Sequence, residues 1–375
     1  MKRLVLFLLC AAVPALSSTA QAITWHVPTD APTIQAGIDS ASAGDTVLVA
    51  CGMYYEHDIV MKSGITLRSE SGEPDGASIN GERRSRVLYC ENLDSTTCIE
   101  GFRIAQGFVF SGSEVFGGAG ILCLNSSPRI VNCNIFRCHC GGRGSGVACM
   151  DGSSPNLVNC FFFLNEGGTY GAGLFCGNHS SPSLTDCRFH LNSGTYGGAV
   201  YCIHSSCPSL TRCTMYRNDS VYGGGVYSSA NACPALCSCT LSENFGAFGG
   251  GGIWCGPYSS VEADRTVVAF SSRGEAIYCH PGNVTLTCCD LYGNAGGDWV
   301  GGVADQYGVS GNFSEDPLFC EPSTGDYHID CNSPCAHGYG CGLVGAYGIG
   351  CGATRIKSET WSSLKALYRP WYRKR

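Results

Sequence analysis

The sequence predicts an all-β protein, a single-stranded parallel β-helix with three strands per 26–27-residue coil and a short N-terminal capping helix. Three observations predict it. A glycine-led phrase recurs: Gly-Gly-Ala-Gly-Ile-Leu-Cys from Gly117, Gly-Ala-Gly-Leu-Phe-Cys from Gly171, Gly-Gly-Ala-Val-Tyr-Cys from Gly197 and Gly-Gly-Gly-Ile-Trp-Cys from Gly250. Prolines follow at Pro128, Pro155, Pro182, Pro208 and Pro234, spaced 27, 27, 26 and 26 residues apart. Five residues after each proline stands Cys133, Cys160, Cys187, Cys213 or Cys239; five further on come Cys138, Asn165, Asn192, Asn218 and Asn244. A fixed period of this size means stacked units, each too small to bury its own apolar face.

The elements follow in order. Residues 1–22 read as a secretory signal peptide: Lys2 and Arg3, an apolar run from Leu4 to Leu9, then Ala20-Gln21-Ala22 as a small-residue cleavage site. No later stretch approaches the roughly 20 apolar residues of a spanning helix. Residues 23–60 form an N-terminal cap and first strand. Ile34, Ile38 and Ala41 fall at helical spacing, with Asp30 and Pro32 as start residues and Gly44 as the stop. Residues 61–316 form the stack, nine to eleven coils in all, beginning with degenerate copies such as Gly64-Ile65-Thr66-Leu67.

Within a coil the period is two. Ile121, Val147, Leu174, Val200, Val226, Ile253 and Ile277 share an inward column with Cys123, Cys149, Cys176, Cys202, Ser228, Cys255 and Cys279 two residues on. A second strand buries Ile130, Leu157, Leu184, Leu210 and Leu236; a third buries Ile135, Phe162, Phe189, Met215 and Leu241. Asn132 and Asn159 mark the bend between them, because asparagine tolerates a left-handed backbone. Residues 317–351 form a Cys-rich segment expected to close the rod, and residues 352–375 a basic, aromatic tail.

The 375-residue chain has a formal charge of −7, and its last 24 residues carry +6. Without Lys2 and Arg3, the body from residue 23 to 351 is near −15. An acidic body excludes nucleic acid as an expected partner. Cysteine is abundant, at 27 residues. In an exported chain the default is disulfides. The inward cysteine columns also admit a ladder of reduced thiols, because in-register Cβ vectors run parallel. Both readings stay open there. Bridges are expected at Cys207 and Cys233, which share a column in adjacent coils, and among Cys320, Cys331, Cys335, Cys341 and Cys351.

Several of these residues carry a resemblance. Pro32-Thr33-Ile34-Gln35-Ala36-Gly37-Ile38-Asp39 and Gly44-Asp45-Thr46-Val47-Leu48-Val49 resemble the opening of right-handed parallel β-helix, pectate-lyase-like, bacterial proteins. The Gly-Gly-Ala-aliphatic motif at Gly197 and the Phe-x-x-Asn motifs at Phe162 and Phe189 are similar to those of chlamydial polymorphic outer-membrane proteins. The resemblance covers residues 24–351 and implies a right-handed rod, exported by a Gram-negative bacterium to the periplasm, cell surface or medium. This fold hosts lyases, hydrolases, adhesins and structural rods, so it leaves function open.

Two constellations bear on function. The outward position between the inward columns holds Phe175, Tyr201, Tyr227, Trp254 and Tyr278 in five consecutive coils, and Phe116, Tyr170, Tyr196, Tyr222 and Phe248 form a second column. Such rings either stack on one another or present a platform to a polysaccharide or cell-surface glycan. A catalytic set is not found. Arg355-Ile356-Lys357 alone matches the galacturonase motifs, in the tail, and Asp186, Arg212 and Asp264 only occupy nearby columns in different coils. Cys138-His139-Cys140 lacks a matched second pair for zinc. No catalytic residue, metal or cofactor is assigned. The tail from Arg355 to Arg375 suits either an anionic membrane surface or docking over the last coil. The sequence therefore reads as a secreted or surface-exposed, non-catalytic rod that binds glycan or another surface along its outer aromatic ladder, with a polysaccharide lyase or glycoside hydrolase as the alternative and a purely structural rod as the third reading.

Overall fold

The computed structural model describes residues 21–110, 117–167 and 169–352. All but the last two residues of the expected signal peptide lie outside the described residues, as does the tail from residue 353.

Four parallel sheets of 11, 10, 9 and 6 strands run along one axis. One coil shows how the chain crosses them: Leu174–Cys176, Ser183–Thr185, Arg188–His190 and Ser193–Tyr196. The first strand belongs to the nine-stranded sheet, the second to the eleven-stranded, the third to the ten-stranded. The fourth adds to the three expected strands a short one, two to four residues long, in six coils. Pairing is in register, so like stacks on like: Ile121, Val147, Leu174, Val200, Val226, Ile253 and Ile277 form one continuous inward column. Phe162 and Phe189 stack inside the core at 4.3 Å between centroids.

The core cysteine columns are free thiols, not bridges. In the column after the prolines each sulfur donates to the carbonyl of the preceding coil, as from Cys160 to Ile130 at 3.4 Å and from Cys239 to Leu210 at 3.4 Å. Burial pushes the thiols of Cys133, Cys138 and Cys289 up to about 12. The asparagine column is buried as well. Asn165 Nδ2 donates to Asn192 Oδ1 at 3.0 Å, Asn192 Nδ2 to Asn218 Oδ1 at 2.9 Å, and Asn218 Nδ2 to Asn244 Oδ1 at 3.1 Å. Cys138 joins that ladder through its backbone N–H, which donates to Asn165 Oδ1 at 3.1 Å.

The N-terminal end is covered by the helix Ile34–Ser40, whose Ile34 and Ile38 enter the core. Its N-cap is Thr33, which accepts from the Ala36 N–H at 3.1 Å. Asp30, expected at the helix start, instead accepts from the His26 N–H at 2.8 Å. The other end is covered by residues 299–312, including the 3-10 helix Gly301–Gln306. Gln306 accepts from the Leu286 N–H at 2.9 Å and donates to the Val284 carbonyl at 2.8 Å. One side chain thus satisfies edge groups of the last long strand.

The Cys-rich segment therefore does not stop the end of the rod. It folds back along the outer face of the ten-stranded sheet, where Val267 and Ala269 pack with Phe313, Ile329, Cys335 and Val344 in a second core. The Ala346 N–H donates to Thr240 Oγ1 at 2.9 Å. Two disulfides hold this flank, Cys320–Cys351 and Cys288–Cys341, and Cys207–Cys233 ties adjacent coils. Cys331 and Cys335, expected among the bridges, are free. Cys331 pairs by backbone with Cys351, whose sulfur is already held by Cys320. The buried Cys335 sulfur faces Asp290 Oδ2 at 3.4 Å. Cys288, in the bend column of Asn132 and Asn159, takes the place they were expected to fill.

Candidate functional site

The outward aromatic column stands on the nine-stranded sheet. Its rings stack in sequence: Phe175 on Tyr201 at 5.5 Å, Tyr201 on Tyr227 at 5.0 Å, Tyr227 on Trp254 at 6.2 Å, and Trp254 on Tyr278 at 3.8 Å. The second column lies beside it, with Tyr170 on Tyr196 at 5.7 Å and Tyr196 on Tyr222 at 5.2 Å. The two ladders interlock diagonally: Tyr170 meets Tyr201 at 5.3 Å, Tyr196 meets Tyr227 at 5.3 Å, and Tyr222 meets Trp254 at 5.0 Å. Each such pair contributes about 0.5–1.5 kcal/mol beyond its buried area.

This interlocking corrects the expected platform. Phe175 and Tyr201 are only 3% exposed, inside an outer apolar cluster with Leu122, Ala148 and Met150. Burial holds the Tyr201 hydroxyl well above its ordinary value, and that of Tyr227 moves the same way for the same first cause. Tyr227, Trp254 and Tyr278 are half-buried. The second column is the more open one: Tyr170, Tyr196 and Tyr222 are half-buried and Phe248 is 71% exposed. A one-residue alternation marks the first column as outward, but only the packing between columns shows which rings meet solvent.

Three clefts open along this same face. The central one, of about 270 Å³, is lined by Arg143, Tyr170, Phe175, Asn178, Tyr201 and His204, among others. The Arg143 guanidinium lies over the Phe175 ring at 5.8 Å. Asn178 and His204 reach it from left-handed turns after successive strands, at φ 54° and 53°. Towards the N-terminus a cleft of about 250 Å³ joins Asp58, Val60, Arg86 and Tyr89, with Arg86 over Tyr89 at 5.5 Å. Towards the C-terminus one of about 550 Å³ joins Glu275, Tyr278, Cys279, His280 and Val300. Arg143, Asn178, Arg86 and Tyr89 were not singled out by the sequence. Tyr89 had a signal: it pairs in register with Leu122 and so extends the outward column.

A further ladder, on the ten-stranded sheet, was also missed. Phe136, Phe163, His190 and Tyr216 recur at 27, 27 and 26 residues and stack at 5.5, 5.3 and 4.1 Å. The flank segment covers its end, where Tyr216 meets the buried Tyr327 at 5.0 Å.

The acidic residues at and beside the bend do not converge. Asp186 takes Arg212 in a two-pronged pair at 2.8 and 2.7 Å, and Asp264 takes Arg265 at 2.7 Å. Cys138 and Cys140 point into the core while His139, between them, faces outward against Phe108. Among the described residues no group of three or more histidines, cysteines or acids is placed to hold a metal ion.

Residues 75–231 match the family model described as a right handed beta helix region. The protein is a right-handed parallel β-helix. A similar solved structure is that of the pectate lyase Pel9A, with TM-score 0.55 and 10% identity, over 88% of this chain and 97% of that one. At that identity the likeness carries the β-helix fold and nothing of the chemistry. No curated protein sequence matches. The resemblance to chlamydial polymorphic outer-membrane proteins therefore rests on the repeat motifs alone.

Proposed function

We propose that this β-helix binds a linear glycan outside the cell, laid along the outer face of its nine-stranded sheet. The observation that carries this reading is the central cleft, where the edges of two ring ladders meet Arg143, Asn178 and His204. The ring edges give the cleft an apolar wall for a sugar's C–H groups, and the polar groups around it take hydroxyls. The face suits a polymer, because three clefts follow one another along nine strands, roughly 40 Å at about 4.8 Å per strand. Binding without cleavage is favoured over hydrolase action by the charges. Among the described residues, each of these three clefts is lined by at most one carboxylate, Asp58 or Glu275, whereas glycoside hydrolysis uses a pair.

A glycan array screened with the mature protein tests the reading. At least one linear polysaccharide is expected to be retained, and Arg143→Ala combined with Tyr170→Ala to weaken it roughly tenfold or more. Both side chains sit at the rim, so the variant is expected to keep its circular dichroism spectrum. Retention undiminished in that folded variant, or no retained glycan, would sink the proposal.

A further inference from the structure

A separate cleft opens away from this face, around the bend from the ten-stranded to the six-stranded sheet. It measures about 320 Å³ and is lined by Arg83, Arg137, Cys138, His139, Leu164 and Glu166. We infer that it is an oxyanion site, taking a tetrahedral phosphate or sulfate group carried on a small polyol.

The bend column supplies the first reason. Its successive residues are Arg137, Leu164, Leu191, Arg217 and Glu243, all with left-handed backbone. Arg217 is neutralised by Glu243 in the next coil, at 2.5 Å. Arg137 has Leu164 at the equivalent place and makes no ion pair among the described residues. Its guanidinium lies over Phe136 at 5.0 Å, and that of Arg83 lies over Phe108 at 5.6 Å, again with no carboxylate partner. Aromatic faces fix both groups without consuming their N–H donors. Two held guanidiniums without ion pairs, against the single carboxylate of Glu166, leave this cleft positive in a chain of net charge −7.

The second reason is shape. The arginines start from coils two apart and rest on rings of adjacent coils, so they reach the cleft from different levels along the axis. That bracketing suits an anion with oxygens pointing in several directions better than a planar carboxylate, which one guanidinium satisfies by itself. His139 stands on the same wall, stacked on Phe108 at 5.3 Å, and its Nδ1 is buried without a hydrogen-bond partner. Glu166 lies one coil beyond Arg137, and a carboxylate there repels a bare anion but accepts hydroxyls from the carrier.

Isothermal titration at low ionic strength, with glycerol phosphate, inorganic phosphate and inorganic sulfate as probes, tests the site. Glycerol phosphate is expected to bind, more tightly than inorganic phosphate, and to weaken as sodium chloride is added. Arg137→Leu is expected to lose about tenfold or more in affinity. Leucine already occupies this backbone position in the next two coils, so the variant keeps the fold; Arg83→Gln provides an independent second variant. Arg212→Leu removes an equal charge elsewhere and is expected to leave affinity unchanged. No binding of any probe, unchanged affinity in both cleft variants, or equal loss in Arg212→Leu would overturn the site. Inorganic phosphate binding as tightly as the ester would identify a free-ion site and overturn the role given to the carrier.

Discussion

The Asn192 side chain makes four hydrogen bonds from a fully buried position. It accepts from the Asn165 N–H and Asn165 Nδ2, and donates to the Phe162 carbonyl and Asn218 Oδ1. The period in the sequence identifies the column, but gives no reason for the amide to be there. The reason is that the chain turns a corner inside the core, where backbone groups have no water to bond. Asn192→Ala removes the side-chain acceptor of the buried Asn165 N–H and one of the donors to the Phe162 carbonyl. Unfolding in urea is expected to show a loss of about 2–4 kcal/mol. A loss below roughly 1 kcal/mol would mean that water replaces the side chain. The thiols beside this ladder need no such partner. Each acts as a small apolar group with a weak donor, which is why Ser228 can stand in one column without a matching change across the core.

The bends and flank show what whole elements add. The bend between the second and third strands is left-handed in Asn132, Asn159, Asp186, Arg212, Ser238, Arg265 and Cys288 alike. Asparagine there was legible; arginine and cysteine were not, because stacking neighbours hold the conformation against local preference. The flank segment exists because the last coils turn Val267 and Ala269 outward, and something must cover them. It buries Asp290, whose carboxyl is pushed by that burial up to about 7, with Asp298 and Glu315 adding to the shift. Its ordinary value is 3.8, so the folded protein holds the proton more tightly than the unfolded chain. The stability this contributes is full below that ordinary value and is lost as pH rises through about 7. Between about pH 5 and about pH 8 the wild type is expected to lose on the order of 2–3 kcal/mol through this group. Asp290→Asn is expected to flatten that part of the profile. An Asn variant with the same slope as wild type would assign the dependence elsewhere.

Across the molecule, stability comes from like stacking on like, and the thiol columns report on it along most of the rod. Twenty free cysteines are described; Cys51 alone is exposed, and Cys237, Cys279 and Cys331 are partly so. Burial both shields the others and disfavours the thiolate that reacts. Brief alkylation followed by mass spectrometry is therefore expected to modify Cys51 first and at most those four in the native state. Denaturant should open the remaining sixteen. Rapid native labelling of the Cys149, Cys176 or Cys202 column would show that the coils are not closed.

Much of this architecture was legible because a solenoid writes its contacts into its period. A residue's neighbour above is the one about 26 positions on, so inward columns, bends and the Cys207–Cys233 bridge follow from counting. The N-terminal helix was legible from its spacing for the same local reason. Contacts that leave the period were not. The flank docks residues more than 100 positions from their partners, as Ala346 does with Thr240, and it leaves Cys331 and Cys335 unbridged. Which aromatic rings are covered depends on two columns meeting across a corner, and the clefts on bends and turns that no column predicts. The sequence by itself determined the rod, because every coil repeats one local solution. Only the tertiary structure decided which surfaces stay open, because exposure is set by what packs over a column and not by the column.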